Sequence, residues 1–350
     1  MQDPSADHSM VHCPTVDAVE PRLALEIAND IPAQCQALKA LIAEIAVTDT
    51  LSLRNGNHRD VLVSFEPEAH HYEIKDGRPS KVQYKSVTGW NSSHFESFDE
   101  NAVVVKMMKG KSWKEGHKYW GMSEAEIKQQ WADIRDVACL RGELMHKAIE
   151  AFMNLPCKVK SGGRDVAGVK NSFRSTLGDL LVEFQTRIQE TPVVPARVID
   201  FLSVQWPYFL KYVADHSKLV PYRTEWRIFD EDIKICGTID MVYLNADGSL
   251  SIHDWKSSRE IKTHEPVANF RRFSTTPAIG HIPDLNYWHY VLQLNSYKYL
   301  LESKYGFRVS EMALVRIHEG ADGYELYPVP PIPGEMLAIA QLRFNYVHQK

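Results

Sequence analysis

The sequence predicts an α/β (α+β) protein in which helices flank a central mixed sheet. Helical periodicity recurs in several long segments, strand-like alternation lies among them, and neither pattern is confined to one half of the chain. Helices and strands interspersed in this way pack as layers around a common core. The 350 residues suffice for one large domain or two ordinary ones.

The first third of the chain predicts a helix, a hairpin and the start of a longer helix. Residues 33–47 combine helical periodicity with strong helix formers. Residues 61–74 alternate in polarity, a Lys-Asp-Gly-Arg turn follows, and residues 81–90 are expected to complete the hairpin. Ser123 and Glu126 have the spacing of a capping box, which predicts that a helix begins there.

The middle and the end of the chain alternate between helical and strand-like patterns. The capped helix continues either to Asn154 or to a break near Gly142. These patterns predict three parts: a flexible tail at 1–19, a helix and hairpin region with a basic segment at 20–122, and a core at 123–350. The further elements are helices at about 172–190, 198–216, 287–305 and 334–348, strands at 222–230, 233–244, 249–256, 310–317 and 324–329, and a polar connection at 262–286.

The composition excludes several classes of protein. A net charge of −5 and 44% hydrophobic residues fit a globular protein, and no apolar stretch is long enough to span a membrane. The N-terminal residues lack the lysines and apolar run of a secretory signal, so we expect a cytoplasmic, nucleoid or nuclear location rather than secretion. Five scattered cysteines without a C-x-x-C pair argue against a zinc site or a disulfide framework.

A basic and aromatic segment at 105–120 contrasts with the negative net charge. Its lysines alternate with Trp113, Tyr119 and Trp120. Such lysines contact phosphates and such rings stack on bases, which suits a nucleic-acid strand; a solvated helix face or loop is the alternative. The basic residues expected to contact a nucleic acid are Lys106, Lys109, Lys111, Lys114 and Lys118 and, outside this segment, Arg271 and Arg272.

The segment IDMVYLNADGSLSIHDWK predicts a hairpin with charged residues among apolar ones. A three-residue loop ending at Gly248 suits that glycine, because this class of loop needs a positive φ at its last position. Asn245 then faces Ser249. Counting back along both strands places Asp240 opposite Asp254, with Cβ atoms about 4.5–5.5 Å apart.

Two carboxylates held that close repel each other, so the pKa of one should rise unless a cation separates them. Mg²⁺ or Mn²⁺ would suit, since both accept carboxylate oxygens. Lys256 lies two residues after Asp254 and shares its face, where it could orient a water or stabilise negative charge. A solvated hairpin with a simple ion pair between one Asp and Lys256 is the alternative.

Three further features have residues and spacing that suit a catalytic site. His146 and Glu150 lie four apart on a predicted helix and share a face, as do Gln293 and Tyr297 on a later one. Glu225 is an acid in the strand before the hairpin. Taken singly, each feature also fits a structural or surface role.

In their order along the chain, these motifs resemble the RecB-like branch of the PD-(D/E)XK nuclease superfamily. The order is G-x-x-x-H-x-x-x-E, an acidic strand residue, G-x-x-D, D-x-K and Q-x-x-x-Y, within about 141–306. This branch includes the RecB nuclease domain, the mitochondrial genome maintenance exonuclease and the CRISPR-adaptation exonucleases. The resemblance implies a restriction-endonuclease-like core with an added N-terminal region.

The resemblance implies a catalytic metal and a lysine beside it. Asp240, Asp254 and the carbonyl group of Trp255 would bind the metal, and His146 would be an additional ligand. Lys256 would position the attacking water. The metal would be Mg²⁺ or Mn²⁺, with Mn²⁺ at least as effective because of the imidazole ligand.

The resemblance assigns supporting roles to four other residues. Gln293 and Tyr297 would line the site and contact the DNA backbone or Lys256. Glu225 would help to organise the metal or the water, and Glu150 would orient His146 or a nearby cation. Some members of the branch hold an iron–sulfur cluster with four cysteines, but no Cys follows Cys236, so we expect no cluster. The chain has no Walker A motif, so we expect no ATP.

The resemblance therefore implies a divalent-metal-dependent DNA exonuclease that hydrolyses phosphodiester bonds by a metal-activated water. Its substrate would be single-stranded DNA or duplex ends, in DNA replication, recombination or repair, with a replication or recombination protein as a further partner. A non-catalytic nucleic-acid-binding module on the same fold is the alternative.

Overall fold

The computed structural model describes residues 31–45, 47–66, 71–78, 80–155, 160–161, 173–190, 199–263 and 272–349, so the predicted tail at 1–19 lies outside the described residues. The helices are α1 (Ile31–Glu44), α2 (Thr50–Arg54), α3 (Val87–Ser92), α4 (Glu100–Met108), α5 (Glu124–Met153), α6 (Leu177–Glu190), α7 (Ile199–Asp215), α8 (Asn286–Lys304) and α9 (Pro333–His348). The strands are β1 (Val63–Glu66), β2 (His71–Ile74), β3 (Lys85–Ser86), β4 (Lys160–Ser161), β5 (Phe173–Arg174), β6 (Pro221–Asp230), β7 (Ile235–Leu244), β8 (Leu250–Lys256), β9 (Val309–Arg316) and β10 (Glu325–Pro328).

The six-stranded central sheet is mixed, as predicted. Its order is β10-β9-β8-β7-β3, and β6 also pairs with β7. The pairs β8–β9 and β3–β7 are parallel, and the other three are antiparallel. The two short pairs β1–β2 and β4–β5 lie outside this sheet.

Strand β7 changes its partner along its length. One edge pairs with β6 on both sides of Asp240, while the other pairs with β8 from Leu244 to Met241 and with β3 at Ile235 and Cys236. Between these two stretches β7 has no ladder partner on that edge among the described residues. We call this opening the fork; Asp240 lies in it.

Apolar layers cover both faces of the sheet. On one face, α8 contributes Leu300 to the cluster that contains Ile239 of β7. On the other face, α5 and α7 contribute Ile149 and Phe209 to the cluster that contains Trp255 of β8. Trp255 is 2% exposed, and the strands that carry the charged residues are therefore enclosed by apolar layers on both sides.

The predicted hairpin between 61–74 and 81–90 is wrong in its pairing. The antiparallel partner of β1 is β2, and both strands lie within 61–74. Residues Lys85–Ser86 instead form a parallel pair with β7. The chain then turns into α3, because the Ser86 hydroxyl accepts a hydrogen bond from the Gly89 N–H at 3.0 Å and caps that helix.

Helix α5 confirms the predicted capping box and continues without a break. The Ser123 side chain and Glu126 bond each other's backbone N–H groups, and the helix extends for 30 residues through Gly142. A Cβ atom at Gly142 would lie 3.2 Å from the Ser257 Oγ, so the glycine allows α5 to approach the end of β8 closely.

No helix within the described part of the chain combines the length and apolar character needed to cross a membrane. Cys35, Cys139 and Cys236 are free thiols.

Gly237 lies in the fork, where two side chains approach the backbone. A Cβ atom there would lie 2.9 Å from Tyr297 Cε1 and 3.1 Å from Val87 Cγ2. Tyr297 and Val87 are both buried, so neither can move aside freely. Close packing against Tyr297 therefore accounts for the glycine of the G-x-x-D motif.

Gly237→Ala is expected to lower the free energy of unfolding by about 1–3 kcal/mol, because the added methyl group overpacks a buried contact. Gly323→Ala is the matched control, since a Cβ atom there would meet no described heavy atom within 4 Å. Thermal unfolding of both variants measures the difference. Equal melting temperatures would contradict this account of Gly237.

Candidate metal centre

The hairpin between β7 and β8 has the predicted loop and register. Gly248 has a φ of +82°, and its N–H donates to the Asn245 carbonyl at 3.0 Å. The Asn245 N–H donates to the Ser249 carbonyl at 2.8 Å, and the ladder continues to the Met241–His253 pair. The next step in both strands places Asp240 beside Asp254 at the fork.

The two aspartates have different surroundings. The Oδ2 of Asp240 accepts a hydrogen bond from the Trp255 N–H at 2.9 Å. Asp254 is 1% exposed and forms an ion pair with Lys256. Its Oδ1 has no hydrogen-bond partner among the described residues, which is unusual for a buried carboxylate.

His146 joins the centre from α5. Its Nδ1 lies 3.7 Å from Asp240 Oδ2 and 3.8 Å from Glu225 Oε1. Its Nε2 lies 3.2 Å from the Trp255 carbonyl, so the Nε2–H donates to that oxygen and Nδ1 faces the carboxylates. One ligand atom from each of His146, Glu225 and Asp240 lies within 4.8 Å of the other two.

These residues fit a divalent cation. One imidazole nitrogen and two carboxylate oxygens converge, which is a donor set that Mg²⁺ or Mn²⁺ accepts. Asp254, which was predicted as a ligand, is not in this converging group of described residues, although its unpartnered Oδ1 lies at the same end of the hairpin. The carbonyl of Trp255 was also predicted as a ligand, and here it accepts the hydrogen bond from His146.

The pKa values show how strongly the charges in this centre interact. Burial would lower the pKa of His146, but the carboxylates of Asp240 and Glu225 raise it to about 9. Burial and the charge of Asp240 raise the pKa of Asp254 to about 6, against the opposing effect of Lys256. Burial would lower the pKa of Lys256, but Asp254 and Asp240 raise it. Two cations therefore face the carboxylates at neutral pH.

Lys256 is held by three groups. Besides the ion pair with Asp254, its Nζ lies 3.5 Å from Gln293 Oε1 and 4.6 Å from the ring centroid of Tyr290. The Gln293 Nε2 donates to Tyr297 Oη at 3.1 Å, so the two residues predicted on one face of α8 meet at this lysine. Tyr290 was not among the predicted site residues, although it precedes Gln293 by three residues and shares its helical face.

Glu225 has an unusual backbone conformation. Its φ is +43°, and within the described ranges Lys234 is the other non-glycine residue with a positive φ. A conformation of this kind costs about 1–3 kcal/mol and persists where the surrounding structure holds it. No feature of the sequence around Glu225 predicted this backbone conformation.

Glu150 lies one helical turn beyond His146. Its Oε2 pairs with Lys147 Nζ at 3.1 Å, and its side chain lines a cavity of about 290 Å³ together with Glu225 and Arg227. The described contacts include no hydrogen bond between Glu150 and His146. Its predicted role in orienting a neighbouring cation stays a prediction.

The lysines of the basic segment are exposed, and its aromatic residues pack together. The segment begins at the end of α4, and Trp113 and Trp120 pack together with their ring centroids 5.9 Å apart. Tyr119 accepts a hydrogen bond from the Trp131 Nε1–H of α5 at 2.9 Å. The predicted Arg271 lies outside the described residues. The exposed basic residues are Lys106, Lys109, Lys111, Lys114, Lys118 and Arg272.

One face of α5 connects this segment with the metal centre. Trp131, Arg135, Gly142 and His146 follow one another at intervals of four or seven residues, which places them on the same helical face. At 1.5 Å per residue, Trp131 and His146 lie about 22 Å apart along the helix axis. The exposed lysines therefore lie at one end of a face that leads to the carboxylates.

Comparison with known families identifies the fold. The family model of the PD-(D/E)XK nuclease superfamily matches residues 123–341, and the chain belongs to this superfamily. Membership indicates a metal-dependent nuclease with a nucleic-acid substrate. A search of curated proteins returned no match.

Metal binding is expected to release about one proton near neutral pH, because His146 is protonated in the metal-free centre and ligates only when deprotonated. Binding should weaken as the pH falls, and more steeply below about 6, where Asp254 also becomes protonated. Calorimetric titration with Mn²⁺ in two buffers of different ionisation enthalpy measures the released protons. His146→Gln should abolish most of the release; an unchanged release would contradict the assignment.

Proposed function

We propose that the chain is a divalent-metal-dependent DNA exonuclease of the RecB-like branch, acting in DNA replication, recombination or repair. The observation that carries the proposal is the convergence of His146, Glu225 and Asp240 beside the buried pair of Asp254 and Lys256. The motif order that resembles exonucleases of this branch supports the finer assignment. A divalent cation bound there would lower the pKa of a water and offset charge on the scissile phosphate.

One group of residues would hold the cation, and Lys256 would place the nucleophile. His146, Glu225 and Asp240 provide converging ligand atoms, and Asp254 provides a buried oxygen. Lys256 is the one ammonium group among the described residues that pairs with Asp254, and its contacts fix the position of Nζ. A fixed donor at this position can orient a water or stabilise charge that develops on a phosphate oxygen.

Gln293 and Tyr297 act on this lysine from α8. The Gln293 amide bonds Lys256 through its oxygen and Tyr297 through its nitrogen, so its orientation is set at both ends. Tyr297 is buried against Gly237. The rigid contact with β7 therefore supports the position of the ammonium group.

Asp254→Ala and Lys256→Ala are each expected to reduce DNA cleavage by at least about 100-fold, because each removes a charged group from the reacting centre. Asp247→Asn is the control, since Asp247 is an exposed turn residue that pairs with Arg308. Cleavage of labelled DNA with Mg²⁺ or Mn²⁺, and with EDTA, measures the effect. Variants that remain folded and cleave as fast as the parent would rule out the assignment.

The exonuclease assignment predicts that cleavage requires a free DNA end. Linear single-stranded and duplex DNA should lose nucleotides from an end, while closed circles of the same sequence should persist at least about tenfold longer. End-labelled products separated on a denaturing gel show the difference. Equal loss of linear and circular DNA would identify an endonuclease instead.

The exposed basic segment is proposed to bind the DNA backbone. Lys109→Glu and Lys111→Glu together should weaken DNA binding and flatten its salt dependence, by about 0.7–0.9 in logarithmic slope for each phosphate that the protein no longer neutralises. Lys75→Glu with Lys211→Glu makes the same change in net charge at other exposed lysines. Fluorescence anisotropy in the Asp254→Ala background measures affinity across salt concentrations. Equal affinities and slopes for the two double variants would remove this role.

A further inference from the structure

Strand β6 departs from regular alternation at Glu225, because the side chains of Thr224 and Trp226 on either side of it point to opposite faces of the sheet. The Thr224 hydroxyl accepts a hydrogen bond from Asn154 at the end of α5, while Trp226 packs against Tyr305 beyond the end of α8. These helices cover opposite faces of the sheet. In a regular strand, residues two apart point to the same face, so β6 exchanges its faces at Glu225, where φ is positive.

Asp60 joins the residues on both sides of Glu225. Its Oδ2 accepts a hydrogen bond from Arg223 Nη1 at 2.7 Å, and its Oδ1 accepts one from Trp226 Nε1 at 2.9 Å. The Arg223 guanidinium also lies 4.8 Å from the ring centroid of Trp226. One carboxylate therefore bridges the segment in which the strand exchanges its faces.

Asn154 holds the remaining neighbour. Its Nδ2 donates to Thr224 Oγ1 at 2.8 Å and to the Glu150 carbonyl at 2.9 Å, and its Oδ1 accepts from the Leu51 N–H at 2.9 Å. Asn154 is 1% exposed, so these bonds are shielded from water. The same side chain ends the helix that carries His146. Asn154 thus joins helix α5, which carries His146, to strand β6, which carries Glu225.

We propose that Asp60 and Asn154 are positioning residues that direct the Glu225 carboxylate into the metal centre. Asp60 bonds Arg223 and Trp226, and Asn154 bonds Thr224. With these neighbours fixed, the Glu225 side chain faces His146. The inference rests on the proposed metal-dependent function and adds to it. Asp60 lies outside residues 123–341, so this part of the centre comes from the N-terminal region of the chain.

The test compares Mn²⁺ affinity by calorimetry in the parent and in a Glu225→Gln background. Asp60→Asn and Asn154→Ala should each weaken Mn²⁺ binding about 10-fold or more in the parent, because misplaced ligands bind less well. In the Glu225→Gln background the same changes should alter affinity by less than about twofold. This non-additivity is expected when two residues act through a third.

Two milder variants keep the inference testable if Asp60→Asn or Asn154→Ala fails to fold. Thr224→Val removes the hydroxyl that Asn154 binds, and Trp226→Phe removes the N–H that Asp60 binds. Both should weaken Mn²⁺ binding in the parent background. Asn295→Ala is the matched control, since Asn295 is also buried and makes three hydrogen bonds to backbone groups. It should lower thermal stability and leave Mn²⁺ affinity unchanged.

The outcomes separate this inference from the proposed function. Unchanged Mn²⁺ affinity in folded Thr224→Val and Asn154→Ala would overturn it, as would equal losses in the parent and Glu225→Gln backgrounds. A parent chain that binds Mn²⁺ but cleaves no DNA would overturn the proposed function alone. A parent chain that binds no Mn²⁺ would overturn both.

Discussion

Repulsion among Glu225, Asp240 and Asp254 is the constraint on which the rest of the centre depends. Asp240 interacts with Glu225 on one neighbouring strand and with Asp254 on the other, and burial strengthens both charge interactions. Without a metal, His146 and Lys256 offset part of this charge, and the raised pKa values of both cations reflect it. His146 on helix α5 therefore faces Glu225 and Asp240, and Lys256 on strand β8 faces Asp254 and Asp240.

Much of the centre could be predicted from the sequence because it depends on short-range rules. The loop ending at Gly248 sets the hairpin register, and the register brings Asp240 and Asp254 together. The spacing of four residues brought Gln293 and Tyr297 to one face of α8, where they bond to each other. Each of these relations lies within one helix or one short hairpin, where one geometry is strongly preferred.

The features that the sequence did not reveal depend on contacts between distant segments. The left-handed backbone of Glu225 is held by partners more than sixty positions away, among them Asn154. Residues 81–90 have the alternation of a strand, but burial of Val87 and Trp90 in the core favours a capped helix after only two paired residues. Local pattern cannot distinguish these cases, because the competing structures differ only in their tertiary contacts.

If the proposed function is correct, helix α5 has a consequence for the size of the products. It is unbroken for 30 residues and has the basic segment at one end of a face and His146 towards the other. A continuous helix keeps the basic segment and the metal centre at a constant separation. On the proposed function, the intervening 22 Å would correspond to about six nucleotides at 3.4 Å each. The helix would then set a minimum product length. A shorter DNA would still reach the carboxylates but would no longer contact the lysines.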